Sequence, residues 1–567
     1  MNRSSSPKST SNQKGNQRQR WIEHLSVGVF LLVASLSQSW HFLSGAWFKG
    51  DGIHIPMLHD TLWHFAVIHE LARSFPPQNP GMAGVPLLNY HFLSDLILML
   101  VHQGSGLSVE TVYMYLAPPV VAFLFALSAF MLAKRLTKST WKGLTGAAFT
   151  VFGGSAAYTI PLLLGKNTPW FANSFMLDQP FDQLTNVHTV LGFSIFLFGV
   201  SILHRFVQDG RKNDAIFSGL LLGLSTAVKA YAGIVAVGAL WTALVPELVL
   251  RRSRKMLLPT LIATGLFLGF TLWTSSTTKP PLLFLPGWIL RRMVEDSGRF
   301  YNEHLTQLYQ HYTAAGNIPR FIQINLEEFG LYLVGNLGVR ILAFICIGKK
   351  ILRFSRASTM DFFLIGAVVF SLGIPLLFVQ PVSVYNTIQF SPYALMLLSI
   401  LLVVEITEKK PHTALLILLF ILSIPTTIKT FILANQEESV TVPIKEVEAM
   451  QFVNTLPEES VVLTPISSQH RYLMKIPGLG GRRTYFSGET FAVLTDTPYQ
   501  YRLEAVEEFF SPETPVDRRE RILKDAKITH IYSDSKGDTA MLEELEKDGF
   551  PISKIFSNAM STIFVVR

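Results

Sequence analysis

Runs of roughly 20 apolar residues recur along the first three quarters of the chain, separated by short polar stretches. That is the length an α-helix needs to cross the hydrocarbon core of a bilayer. The runs fall at 25–47, 112–133, 143–164, 187–203, 215–228, 230–250, 257–273, 326–347, 362–379, 391–404 and 415–431. A further apolar stretch at 90–102 is short for a span and carries Asp95, so it reads as a helix lying on the outer surface. From about residue 436 the pattern changes. Short runs at 461–463, 529–532 and 561–566 predict strands, and 447–454, 502–510, 517–527 and 541–548 predict helices. The fold class is therefore mainly α: a polytopic helical membrane protein of about 11 spans with a C-terminal α/β domain.

Loop charge sets the orientation. Lys and Arg gather near 18–20, 134–142, 205–212, 251–255, 349–353 and 409–410, and the positive-inside bias puts each of these clusters in the cytoplasm. The N-terminus is then inside and the C-terminus outside. A disordered cytoplasmic tail is expected at 1–20, and a transmembrane domain at 21–435. Within it lie a first outer loop at 48–110 and a long outer segment at 275–325, and an extracytoplasmic α/β domain follows at 436–567. A hydrophobic content of 49% against a charged content of 16% excludes an ordinary soluble protein and places the chain in the cell membrane as a multi-pass protein. Membrane topology accounts for the net charge of +8, so no nucleic-acid partner is implied. The single cysteine, Cys346, excludes an intrachain disulfide and a cysteine-based zinc site.

The candidate chemistry concentrates at 48–95, just after the first span. Asp60 and His64 lie four apart in a segment with helical apolar spacing, which puts carboxylate and imidazole on one helix face. The pair either decorates the membrane edge or forms a general base with its orienting partner. Asp51, His54, His59, Glu70, Asn89, Tyr90, His91 and Asp95 crowd the same stretch. No cofactor motif is present. A divalent metal held by His59, Asp60, His64 and His91 stays open, although the spacing fits no zinc pattern. Lys229 closes a short span on the outer side, where it either snorkels to the headgroups or holds a phosphate. Arg291, Arg292, Arg299 and Arg320 lie outside, against the positive-inside bias, and read as a lipid-facing helix or as phosphate ligands. Tyr385, Asn386 and Gln389 close the outer end of a later span as a polar pocket or an interfacial belt. Gly478, Gly480 and Gly481 read as a flexible loop.

The stretch FPPQNPGMAGVPLLNYHF behind a juxtamembrane Asp, together with GLSTAVKAY and an outer C-terminal domain, resembles the GT-C superfamily of membrane glycosyltransferases. The nearest likeness is to its polyprenyl-phosphate-sugar-dependent branch, which includes the protein O-mannosyltransferases and the lipid A aminoarabinose transferases. The resemblance implies transfer of a sugar from a polyprenyl-phosphate-linked donor to a glycan, lipid or protein acceptor on the outer face. By that likeness Asp60 activates the acceptor and Lys229 holds the donor phosphate. Many relatives carry two adjacent acidic residues in the first loop, whereas this chain has His59-Asp60 and a separate Asp51, so both aspartates stay candidates. The remaining candidates for substrate contact are Asn89, Tyr90, His91, Glu70, Arg291, Arg292 and Tyr385. A transporter or assembly factor for lipid-linked glycans is the alternative. Such a protein is expected to show internal repeats, broken spans and ionisable groups near mid-membrane; there is no clear repeat, and the ionisable groups gather at the outer surface, which favours the enzyme.

Overall fold

The computed structural model describes residues 9–45, 47–165, 167–276, 282–408, 412–436 and 440–567. Helix α1 (Ser9–Gly45) leads into β1 (Trp47–Lys49), β2 (Gly52–Ile55), α2 (Leu58–Arg73) and α3 (Leu93–Ser105). There follow α4 (Val109–Thr137), the bent pair α5 (Thr140–Phe152) and α6 (Ala157–Leu164), then α7 (Val187–Asp209), α8 (Lys212–Val228), α9 (Ala230–Val249) and α10 (Leu257–Thr274). After β3 (Leu283–Phe284), α11 (Trp288–Glu295) and α12 (Glu303–Ala314) come α13 (Ile318–Leu352) and α14 (Thr359–Leu377). The helical part ends with β4 (Phe378–Val379), α15 (Val384–Thr407) and α16 (Thr413–Gln436).

Every apolar run of the sequence is helical. Among the described residues nine helices are long and apolar enough to cross a membrane, and the α5–α6 pair, bent by 61°, makes a tenth. The remaining run is α8, with 17 residues. The chain is a multi-pass membrane protein. Helix α1 begins at Ser9, inside the 1–20 segment expected to be a tail, and the first eight residues lie outside the described ones, as do Lys409 and Lys410. Gln, Lys and Arg are good helix formers, and extending an existing helix avoids the cost of nucleation. In α4, Val112–Leu116 widens into a π-turn. Pro118 and Pro119 lack the N–H groups that would bond the carbonyls four residues earlier.

The C-terminal part is docked by strand pairing. β5 (Val440–Pro443) pairs antiparallel with β2, from Gly52↔Pro443 to Ile55↔Val440. After α17 (Ile444–Thr455) a five-stranded sheet forms from β6 (Val461–Leu463), β7 (Arg483–Thr484), β8 (His530–Ser533), β9 (Ile552–Ser557) and β10 (Thr562–Val566), in the order β7-β6-β8-β10-β9. β6 runs parallel to both neighbours, and β10 runs antiparallel to β8 and β9. Its helices are α18 (Ser468–Tyr472), α19 (Lys475–Leu479), α20 (Glu489–Leu494), α21 (Gln500–Phe510), α22 (Val516–Asp525) and α23 (Lys536–Lys547).

The glycine-rich stretch around 478–481 is not a flexible loop. It is buried, and α19 packs against α2. A Cβ on Gly478 would come within 2.7 Å of the Leu62 carbonyl oxygen, and Gly481 holds φ +58°. The glycines are there because two backbones meet closely, and their spacing carries no sign of that.

Candidate functional site

A cavity of about 410 Å³ opens where the helical bundle meets the C-terminal part. Helix α2 contributes Asp60, Trp63 and His64, and the stretch ahead of α3 contributes Asn89, Tyr90 and His91. Asn186 and His188 come from the start of α7, Lys229 from the break between α8 and α9, and Asn386 and Gln389 from the start of α15. Phe491 and Thr495 close it from the C-terminal side.

Asp60 sits in the first turn of α2, where a carboxylate suits the partial positive charge of the helix start. Its side chain is 44% exposed, and His59 Nδ1 lies 3.4 Å from its Oδ1. Burial works to raise the Asp60 pKa, but the His59 hydrogen bond and the charges of His64, His59 and Lys229 outweigh it and hold the carboxyl below its ordinary value. Asp60 is therefore ionised at neutral pH.

Lys229 caps α8 in an extended conformation and precedes α9. The residue is only 7% exposed. Its stem lies against Gly192, where an added Cβ would meet Lys229 Cβ at 3.1 Å, and its ammonium is 5.8 Å from the Tyr231 ring centroid. Among the described residues the ammonium has no hydrogen bond and no ion pair. A buried charge without a partner is costly, and the anion within its electrostatic reach is Asp60.

Behind these two lies a group that sequence reasoning did not assemble. Asp95 Oδ1 accepts from His64 Nδ1 at 3.0 Å and from His188 Nε2 at 2.8 Å, and the two imidazoles stack with centroids 3.5 Å apart. Asp95 is fully buried. Burial would raise its pKa, but the charges and hydrogen bonds of His188 and His64 hold it well below the carboxylate range. Tyr113, in the π-turn of α4, stacks on His64 at 5.6 Å. His91 is driven well below the ordinary imidazole value by burial and then by Lys229.

The ligand atoms of His64, Asp95 and His188 lie within 4.8 Å of one another, and among the described residues this is the one group with metal-ligating spacing. It differs from the set His59, Asp60, His64 and His91 considered from the sequence and shares only His64 with it. Two imidazoles and a carboxylate suit a divalent transition metal. Asp95 Oδ2 and His188 Nδ1 are buried without a hydrogen-bond partner, so the donor set fits such an ion.

Other expected residues lie elsewhere. Asp51 is 64% exposed, sits 3.1 Å from His54 and does not line the cavity. Glu70 is fully buried and accepts from Arg73, Ser74 and Arg483 at 2.7–2.9 Å, which makes it a clamp between α2 and β7. Arg291 is paired with Glu328 and stacked over Tyr309, and Arg292 is exposed. Tyr385 donates to Asp296 at 2.8 Å. Asn89 lines the cavity, but its side chain ties Ser276 to the Thr495 carbonyl. Tyr90 places its hydroxyl 3.3 Å from His64 Nδ1. The sequence also gave no hint of Phe491, whose ring stacks on Trp63 at 4.0 Å and on His59 at 4.6 Å. His188 had one legible signal, its place two residues after Asn186 at the mouth of a span.

No family model matches the chain, and no curated protein matches it. Solved structures do. The apo oligosaccharyltransferase AglB of Archaeoglobus fulgidus superposes with a TM-score of 0.52 at 12% identity, over 90% of this chain and 69% of that one. The same enzyme in complex with Zn and sulfate gives 0.51 at 11% identity, over 95% and 73%. The arabinofuranosyltransferase AftD from Mycobacteria gives 0.51 at 12% identity, over 95% of this chain and 40% of that one. The chain has the fold of the GT-C glycosyltransferases.

Proposed function

We propose that the protein is a membrane glycosyltransferase that moves a sugar from a polyprenyl-phosphate-linked donor to a glycan, lipid or protein acceptor, with inversion at the sugar carbon. One observation carries this reading. A buried, unpaired ammonium at Lys229 and an ionised carboxylate at Asp60 line one cavity at the edge of the helical bundle. A donor with an apolar tail and a phosphate needs both a membrane-flanked entry and a fixed positive charge.

Lys229 meets the phosphate leaving group and stabilises the charge that develops as the glycosidic bond breaks. The start of α9, with Ala230 and Tyr231 on the wall, adds the partial positive charge of a helix N-terminus. Asp60 takes the proton of the acceptor nucleophile, which attacks the sugar carbon from the side opposite the phosphate. His64, held by Asp95, and His188 would hold a divalent metal. When bound, that ion supplies Lewis-acid stabilisation of phosphate charge. Phe491 and Trp63 exclude water from this side of the cavity.

Purified protein incubated with radiolabelled polyprenyl-phosphate sugars and a panel of acceptors is expected to consume one donor. Asp60→Asn is expected to stop transfer but not donor binding. A parent protein that consumes no donor, or an Asp60→Asn variant with full turnover, counts against the reading.

A further inference from the structure

The five-stranded sheet carries a second cavity, of about 340 Å³, away from the membrane-edge site. It lies at one edge of the sheet's three central strands. Ser467 follows the C-terminal end of β6, Asp534 and Ser535 follow that of β8, and Met560 and Ser561 precede the antiparallel β10 at the same edge. The chain leaves β6 for β7 on one side and reaches β8 on the other. The crevice between β6 and β8 is therefore a topological switch point, where open α/β sheets bind ligands outside the carboxyl ends of their strands. No phosphate-binding glycine motif is present, so the walls must indicate what enters.

Those walls are polar, and their carboxylates are already engaged. Lys475, buried at the start of α19, donates to Glu446 Oε1 at 2.7 Å and to Gln469 Oε1 at 2.6 Å. His470, also buried, lies 3.0 Å from Asp534 Oδ2. Both carboxylates thus have a fixed hydrogen-bonding partner, and among the described residues no Lys or Arg lines the cavity to draw a phosphate. Among the described residues no group of three His, Cys, Asp or Glu with metal-ligating spacing lies at this cavity. The Lys475 contact leaves Gln469 with its amide N–H donors and Glu446 with a second carboxylate oxygen. Tyr532 and Ser561 share a hydroxyl pair at 2.7 Å, and the exposed Met560 gives an apolar patch. Alternating fixed acceptors and donors beside a small apolar surface match a ligand built of hydroxyls. The volume falls in the usual range of ligand pockets, about 300–1,000 Å³.

We infer that this crevice is a saccharide-binding site, taking a neutral sugar unit of a glycan between Asp534, Gln469 and Glu446. The site goes beyond the transferase reading and does not require it. It is joined physically to the membrane-edge cavity, because α19, which starts at Lys475, packs against α2, which carries Asp60.

The test uses full-length protein in detergent and saturation-transfer NMR with a panel of neutral mono- and disaccharides, and spermidine as a cationic probe. At least one saccharide is expected to bind. Asp534→Asn and Gln469→Ala are each expected to weaken that binding at least tenfold, whereas Asp60→Asn leaves it unchanged. Gln469 is exposed, so its variant decides the matter if Asp534→Asn does not fold. No saccharide binding, binding lost on Asp60→Asn but kept in the two crevice variants, or a crevice that takes spermidine in preference to every sugar would each overturn the assignment.

Discussion

At the scale of single residues, the cavity separates two aspartates that the sequence left equivalent. Asp60 lines the cavity within the field of Lys229, and Asp51 is a surface residue beside His54. Asp60→Asn keeps size and hydrogen bonding but cannot take a proton. Turnover is expected to fall by about two orders of magnitude or more, the scale of a positioned base, while Asp51→Asn stays near the parent. Initial rates on equal amounts of folded protein decide between them, and the reverse order would move the base to Asp51. The lowered pKa of Asp60 also fixes a sign. As pH falls, its carboxylate persists below the ordinary aspartate value of about 3.9. Rates are thus expected to show no loss from Asp60 protonation between neutral pH and about pH 5. An acid limb centred near pH 6 that disappears in Asp60→Asn would show a raised pKa and contradict the site as described. Lys229→Met removes a buried charge without a partner. Thermal stability without donor is expected to hold or rise, while donor affinity drops. A lysine that merely snorkels to the headgroups predicts neither effect.

At the scale of elements, α2 both lines the cavity with Asp60, Trp63 and His64 and docks the C-terminal part. The fully buried Glu70 holds Arg483 of β7 and Arg73. Removing the charge by Glu70→Gln leaves two guanidinium groups underpaired. The expected loss is about 3–5 kcal/mol, the scale of a broken buried ion pair, read as a lower midpoint in thermal unfolding. An unchanged midpoint would mean that the clamp contributes little. This role was hidden in the sequence for a physical reason. Glu70 is one turn and a half beyond His64 on a helix whose apolar spacing was evident, but its partner is 413 residues away. The same holds for Asp95 and His188, which are 93 apart, and for β2 and β5, whose short runs lie on either side of the whole bundle in sequence. Helices were legible because their periodicity is local. β7 and α19 were missed because Gly478, Gly480 and Gly481 signal a turn and a close backbone approach alike.

At the scale of the whole molecule, strand pairing constrains the membrane topology more tightly than helix length does. β2 follows α1 and β5 follows α16, and the two strands are hydrogen-bonded. The exits of α1 and α16 must therefore lie on one face, which requires an even number of crossings between them. Among the described residues, the eight long helices after α1, the α5–α6 pair and α8 make ten. Helix length alone would leave out α8 with its 17 residues, yet His188 at the start of α7 and Lys229 at the end of α8 line the same cavity. If α7 crosses, α8 must cross back. With α8 counted, parity requires that one of α3 and the bent α5–α6 pair crosses and the other does not, and the 13 residues of α3 are short for a span, which leaves the pair. We therefore expect eleven spans, with the cavity and the C-terminal part outside if the basic clusters are cytoplasmic. Single cysteines in a background with Cys346 replaced test this directly, at Gly104 after α3, at Lys547 in α23 and at Lys212 before α8. A membrane-impermeant maleimide on intact cells is expected to label Gly104→Cys and Lys547→Cys, and to reach Lys212→Cys only after permeabilisation. Labelling of Gly104→Cys and Lys547→Cys from opposite sides would mean that α3 crosses and that the α5–α6 pair or α8 does not, which would put the basic cluster at 134–142 outside, against the loop charges.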